Sequence, residues 1–230
     1  MHRIRAITLD LDNTLWDVDP VIRNAEAVLW EWLAVNYPQV PDRFDAADIV
    51  ALRNAVIDKY AHKSHDFRFL RKMVLRRVAI DAGYDEALVE PAFAVFDAAR
   101  NAVELYPDVL PHLEYLYERF TIVALTNGNA NLQTIGIGHL FHDIVTAVGT
   151  GVAKPGRQIF DAAIAKAGVT AVEILHVGDH PETDIVGARN AGLRTAWINR
   201  TDDEWPKDLE PPDFVIRTLA ELRDLLDGAH

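Results

Sequence analysis

From residue 106 onward, short apolar runs alternate with helical patterns, and few folds accommodate that alternation. The runs fall at 121–125, 144–148, 173–177, 195–198 and 214–216, with helices signalled at 109–119, 156–167, 183–190 and 219–226. Strands covered on both faces read as near-continuous apolar stretches, and βα repetition of this kind winds around a parallel sheet. The opening run at 4–9 has the same texture and belongs to the same sheet. The segment 199–213, acidic and Pro-containing without periodicity, reads as an exposed connection before the last strand.

Between the first strand and the rest, residues 19–104 show helical periodicity and no convincing strand. Asp19-Pro20 reads as an N-cap followed by an N1 proline. Val21, Ala25, Val28, Leu29, Trp32 and Leu33 then recur at helical spacing until Tyr37-Pro38. Further patterns run over 45–60, over 67–82 ending at Gly83, and over 85–105, where Pro91 marks a helix start or a kink. The expected fold class is therefore α/β: a Rossmann-like parallel sheet core of residues 1–16 and 106–230, with an α-helical cap, residues 17–105, inserted after the first strand. Such an insert is expected to hang over the carboxyl edge of the sheet as a lid.

Composition removes several functions. With no Cys there is no disulfide, thiolate zinc site or thiol nucleophile, so any metal is held by oxygen or nitrogen. Lys and Arg number 23 against 35 Asp and Glu, and a net charge of −12 argues against nonspecific nucleic-acid binding and anionic membrane surfaces. No apolar run suits a membrane span or signal peptide, which makes the cytoplasm the default compartment. One stretch, 62–77, is locally basic, with Lys63, Arg68, Arg71, Lys72, Arg76 and Arg77 against Asp66. It reads either as a solvated helix face or as local help for an anionic substrate.

The strand ends carry the chemistry, because ligands of open α/β sheets gather at the carboxyl ends of the strands. Asp10 and Asp12 follow the first run, and in an extended segment residues i and i+2 point to the same side. Thr126, Asn127 and Gly128 follow the second run, a hydroxyl, an amide and approachable backbone N–H groups suited to an anion. Lys154 precedes a helix start, where a cation and a helix N-terminus favour phosphate. Asp179 and Asp184 follow a further strand. Each Asp taken separately could be a turn or cap residue. Four at one edge need a counter-charge, and hard oxygen ligands without Cys point to Mg²⁺.

Asp10-Leu11-Asp12-Asn13-Thr14, Thr126-Asn127-Gly128, Lys154-Pro155 and Gly178-Asp179 with Asp184 resemble the four ordered motifs of the haloacid dehalogenase-like hydrolase superfamily, with a helical cap between the first two. The resemblance covers essentially the whole chain. In that superfamily the true dehalogenases lack an acid two residues after the nucleophile, so Asp12 speaks for phosphoryl transfer. The resemblance implies a phosphoric monoester hydrolase with Asp10 as nucleophile and Asp12 as general acid and base. It further implies Mg²⁺ on the Asp10 carboxylate, the Asp12 carbonyl and Asp179, with Asp184 in support, and phosphate on Thr126, Asn127 and Lys154. More narrowly, "LTNGNA", "GVAKPGRQIF" and "EILHVGDHPETDIVGARNAGLRTAWINR" resemble bacterial phosphatases acting on flavin mononucleotide and on 5-amino-6-(5-phospho-D-ribitylamino)uracil, of riboflavin biosynthesis.

The expected partner is thus a small phosphorylated metabolite. Trp16, His65, Arg68 and Arg71, with Phe67 and Phe69, are the residues expected to meet its leaving group, although aromatics at helical spacing are more often core. His176, inside a strand pattern, reads as a satisfied core histidine, and His180 as a loop residue. Nucleoside monophosphates and sugar phosphates are alternative substrates, a sugar phosphomutase is an alternative enzyme, and a regulatory binding protein on the same scaffold is the non-enzymatic alternative.

Overall fold

A computed structural model describes residues 3–228; the ends of the expected core, 1–2 and 229–230, lie outside them. Residues up to Asp17 together with those from Glu104 onward form one compact unit, and Val18–Val103 form a second.

The first unit is built on a six-stranded sheet of β1 (Ala6–Leu9), β2 (Thr121–Thr126), β3 (Asp143–Thr146), β4 (Ile174–Gly178), β5 (Arg194–Ile198) and β6 (Phe214–Ile216). Its order is β3-β2-β1-β4-β5-β6 and every pairing is parallel. The chain builds outward from β1 to β3 on one side, then crosses to β4 and builds outward on the other. β1 therefore borders the switch point, where open α/β sheets form their ligand crevice. Leu9 is level with Ala124 and Val177, so the segments leaving β1, β2 and β4 emerge at one edge.

Burial explains the apolar runs: Ala6, Ile7 and Leu9 are fully buried, as are Ile122 to Leu125. On one face the helix Arg157–Ala167 packs Ile159, Phe160, Ala163 and Ala167 against Ala6, Val123, Leu125 and Ile174. Gly168, at φ 68°, ends that helix in the left-handed conformation that costs glycine least. Elsewhere in this unit Val109–Tyr117 packs with Leu219–Gly228. Two expected elements shift. β3 stops at Thr146 because its hydroxyl accepts from Gly149 N at 3.0 Å and caps the short helix Ala147–Thr150. The helix expected at 183–190 is a π-helical turn, Pro181–Val186, followed by Gly187–Asn190.

The second unit is helical: Val18–Asn36, Gln39–Arg43, Ala46–Lys59, Phe67–Asp81 and Val89–Arg100. Its own core joins Ala25, Leu29, Leu33, Leu75, Val78, Phe93 and Phe96. Asp45 and Asp66 cap their helices, accepting from Asp48 N and Phe69 N at 2.9 Å. The first helix begins at Val18, which puts Pro20 at its third residue rather than at N1, and Pro91 is likewise the third residue of its helix. The first turn leaves its N–H groups without intrahelical partners, so a proline there removes no bond. The last pattern ends at Arg100 rather than 105, and Leu105 instead pairs with Trp16 in an isolated antiparallel bridge. No helix among the described residues is long and apolar enough to cross a membrane.

Candidate active site

Asp10 leaves β1 with its N–H donated to Val177 O at 2.9 Å and its side chain buried. The chain then abandons the extended form. Thr14 N and Leu15 N both turn back to Leu11 O, and Asn13 N reaches Trp16 O at 2.8 Å, with Asn13 itself at φ 60°. Asp12 therefore lies in a turn, and not in the extended segment that the i, i+2 rule assumes. The three carboxylates whose oxygens lie within 4.8 Å of one another, among the described residues, are Asp10, Asp179 and Asp184. Asp12 is outside that group, and its Oδ1 accepts from the Trp16 indole N–H at 2.9 Å.

Lys154 sits in the middle. Its ammonium donates to Asp10 Oδ1, to Asp184 Oδ1 at 2.6 Å and to Leu125 O at 2.9 Å. Asn127 fixes its backbone from both sides: Oδ1 accepts from Lys154 N at 2.7 Å, and Nδ2 donates to Lys154 O at 3.1 Å. Thr126 is buried, with its hydroxyl accepting from Gly128 N at 2.9 Å. Asp184 is saturated with donors. His176 Nε2 lies 3.2 Å from Oδ1, and His180 N donates to Oδ2 at 3.0 Å. His176 Nδ1 in turn meets Thr8 Oγ1 at 2.9 Å, which satisfies both ring nitrogens of a fully buried histidine. His180 is exposed and caps the next turn, its Nδ1 accepting from Glu182 N and Thr183 N. Asp179 is half-buried, and its carbonyl accepts from the Trp197 indole at 2.6 Å.

Three carboxylates share this volume with one ammonium. Burial, with Asp184 and Asp179 nearby, pushes Asp10 well above the usual carboxylate range despite Lys154. Burial and Asp184 push Asp179 up to about 6. Burial also works upward on Asp184, but Lys154 and His176 outweigh it and hold that group ionised. Desolvation would lower Lys154, but the adjoining Asp10 and Asp184 raise it, so it stays charged. Burial lowers His176. The donor set is hard oxygen, with more carboxylates than cations, which suits a divalent cation such as Mg²⁺. Asp10 and Asp179 are the carboxylates with capacity to hold it, since Asp184 is occupied by its donors. When bound, the ion would neutralise the charge of an incoming phosphate.

The residues expected to meet a leaving group are placed differently. Trp16 exposes none of its surface and has no face to stack on a ligand. Arg68 pairs with Asp97 at 3.0 Å, while Arg71 pairs with Glu26 at 2.9 Å and lies 3.5 Å above the Phe96 ring. Both guanidinium groups are thus engaged inside the helical unit. His65 lies half-buried in the turn before Phe67–Asp81. The Asn127 side-chain clamp and the Trp197 bond to Asp179 were not legible, since each joins segments whose proximity only the sheet order creates; the His176 and His180 bonds to Asp184 are local, and follow from the turn the chain takes after β4.

Sheet, motif placement and family model agree: the chain belongs to the haloacid dehalogenase-like hydrolases, whose model matches residues 4–192. Among curated proteins it is 32% identical to the 5-amino-6-(5-phospho-D-ribitylamino)uracil phosphatase YigB of Escherichia coli K12, over 98% of both chains. It is 31% identical to the glyceraldehyde 3-phosphate phosphatase of Methanopyrus kandleri, over 97% of both. Among solved structures it matches a 2-haloacid dehalogenase from Pseudomonas syringae pv. Tomato DC3000, with TM-score 0.93 and 36% identity over 99% of this chain and 100% of that one.

Proposed function

We propose that this protein is a Mg²⁺-dependent phosphomonoesterase acting through an aspartyl-phosphate on a small phosphorylated metabolite of the cytoplasm. The observation that carries the reading is the buried Asp10 carboxylate, fixed against Lys154 in a volume shared with Asp179 and Asp184, with a second acid, Asp12, two residues further along the chain. An Asp10 oxygen forms a bond to phosphorus as the bond from phosphorus to the leaving oxygen breaks, and the Asp12 carboxyl gives its proton to that oxygen. Asp12, now a carboxylate, takes a proton from water as the water oxygen bonds phosphorus and the acyl-phosphate P–O bond breaks, which restores Asp10. Lys154 and the Thr126–Gly128 segment bind the nonbridging oxygens, and Asp184 holds Lys154 in place.

The likeness to YigB supports 5-amino-6-(5-phospho-D-ribitylamino)uracil or flavin mononucleotide as substrate, and the archaeal relative supports a sugar phosphate as the next choice. The likeness to a 2-haloacid dehalogenase supports a second reading, attack of Asp10 on carbon with loss of halide. Halide leaves as an anion and needs no proton, so that chemistry gives Asp12 no task. The test is a panel of flavin mononucleotide, the ribitylaminouracil phosphate, glyceraldehyde 3-phosphate, p-nitrophenyl phosphate and 2-chloropropionate, each with Mg²⁺ or with chelator. Metal-dependent phosphate release, abolished in Asp10→Asn, is expected. Chelator-insensitive chloride release without phosphate hydrolysis would establish the second reading in its place.

A further inference from the structure

Trp16 is an odd residue to find without any exposed surface, because it sits in a polar loop eight residues past β1's midpoint and carries a donor that burial would otherwise strand. Its indole N–H is not stranded. It donates to Asp12 Oδ1 at 2.9 Å, four residues back along the chain. The loop between them is closed on itself by Asn13 N to Trp16 O and by the paired bonds to Leu11 O. It is also braced from outside at two points. Tyr106 N donates to Leu15 O at 2.9 Å, and Arg200 Nε, at the end of β5, donates to Thr14 O at 2.9 Å. Arg200 is itself locked by two bonds to Asp108, at 2.8 and 3.1 Å, and lies 4.2 Å above the Tyr106 ring. A fully packed ring on a braced loop has one orientation, so the donor it carries fixes the carboxylate it touches.

We infer that Trp16 is a positioning residue for Asp12: its indole N–H, donated to Asp12 Oδ1, orients the carboxyl for proton transfer in both steps. The inference rests on the phosphomonoesterase reading, and it replaces the expectation that Trp16 stacks on the leaving group. Proton transfer demands geometry at the level of one hydrogen bond, and a misplacement of about 1 Å costs on the order of 10²-fold in rate. An Asp12 without this bond would therefore lose rate where a proton is needed and nowhere else.

That selectivity is measurable in the Mg²⁺-loaded enzyme. With an alkyl phosphate the leaving oxygen must be protonated; with p-nitrophenyl phosphate it departs as a stable anion. Trp16→Phe is expected to lower kcat/KM for the alkyl phosphate by about ten- to hundredfold while changing that for p-nitrophenyl phosphate by less than about threefold. Water attack also needs Asp12, so the variant is further expected to release a burst of nitrophenolate equal to the enzyme present, followed by slow turnover. Because Phe changes a buried ring, the same pair of substrates is run with benzothienylalanine at position 16, which puts sulfur in place of N–H in a ring of the same outline. The same split in that protein supports the inference. Wild-type kinetics there, or equal losses on both phosphates without a burst in both proteins, overturns it. Absence of Mg²⁺-dependent hydrolysis in the wild-type enzyme would instead remove the phosphomonoesterase reading on which it stands.

Discussion

Gly178 leaves the space that Asp184 occupies: a Cβ there would lie 2.4 Å from Asp184 Cγ and 2.6 Å from its Cβ. Asp184 cannot retreat, since Lys154, His176 and His180 N all hold its carboxylate. Gly178→Ala is therefore expected to destabilise the protein by about 1–3 kcal/mol, the usual cost of overpacking, and to loosen Lys154 as well. Thermal unfolding together with phosphatase assays checks both effects. Asp179 yields a pH prediction. Its folded-state value of about 6 lies above the unfolded value near 4, so the metal-free protein holds this proton more tightly than the unfolded chain does. The associated stability is complete below about pH 4 and is lost as pH rises through about 6. Binding a cation requires that proton to leave. The rise in Tm on adding Mg²⁺ should accordingly be larger at pH 8 than at pH 5, and an equal rise at both would take Asp179 out of the metal site.

Among the elements, the end of β5 ties the loops of the sheet edge together through Asp108. Its carboxylate receives two bonds from Arg200 and one from Leu219 N at 2.8 Å, joining the loop after β1, the start of Val109–Tyr117 and the start of Leu219–Gly228. Burial works to raise Asp108, but these donors outweigh it and hold the group below the usual carboxylate range. A depressed pKa contributes stability above the unfolded value and loses it as pH falls through the folded one. Asp108→Asn should thus cost roughly 1.5–3 kcal/mol at pH 7, with the gap to wild type closing below about pH 4. Denaturant unfolding at both pH values measures it. Element types were legible because apolar period and stop signals are local: Gly168 ends its helix as read. Element ends were less so, since Thr146 turns a strand into a cap through its hydroxyl, and Leu105 is drawn from a helical pattern into a bridge with Trp16.

At the scale of the molecule, each unit has a core of its own, so a cavity in one should leave the other's protection intact. Phe93 is buried among Leu75, Val78 and Phe96 in the helical unit. Phe93→Ala is expected to cost about 3–5 kcal/mol there. In hydrogen exchange, protection should fall across Val18–Val103 while β1, β2 and β4 keep theirs; loss in both units together would show a single cooperative fold. Arg68 and Arg71 show how far the sequence reached in that unit. It exposed a basic stretch, but only the folded helices bring Asp97 and Glu26 against those cations. The sequence by itself determined the parallel α/β sheet, the helical insert and the strand ends carrying Asp10, Thr126, Lys154 and Asp179, because strand period, helix period and turn residues act within a few residues of one another. Only the tertiary structure decided that Asp184 rather than Asp12 joins Asp10 and Asp179, that Asn127 clamps Lys154, and that Trp16 turns inward to Asp12. Those arrangements depend on which strands neighbour β1 and on where its loop turns, and long-range packing sets both.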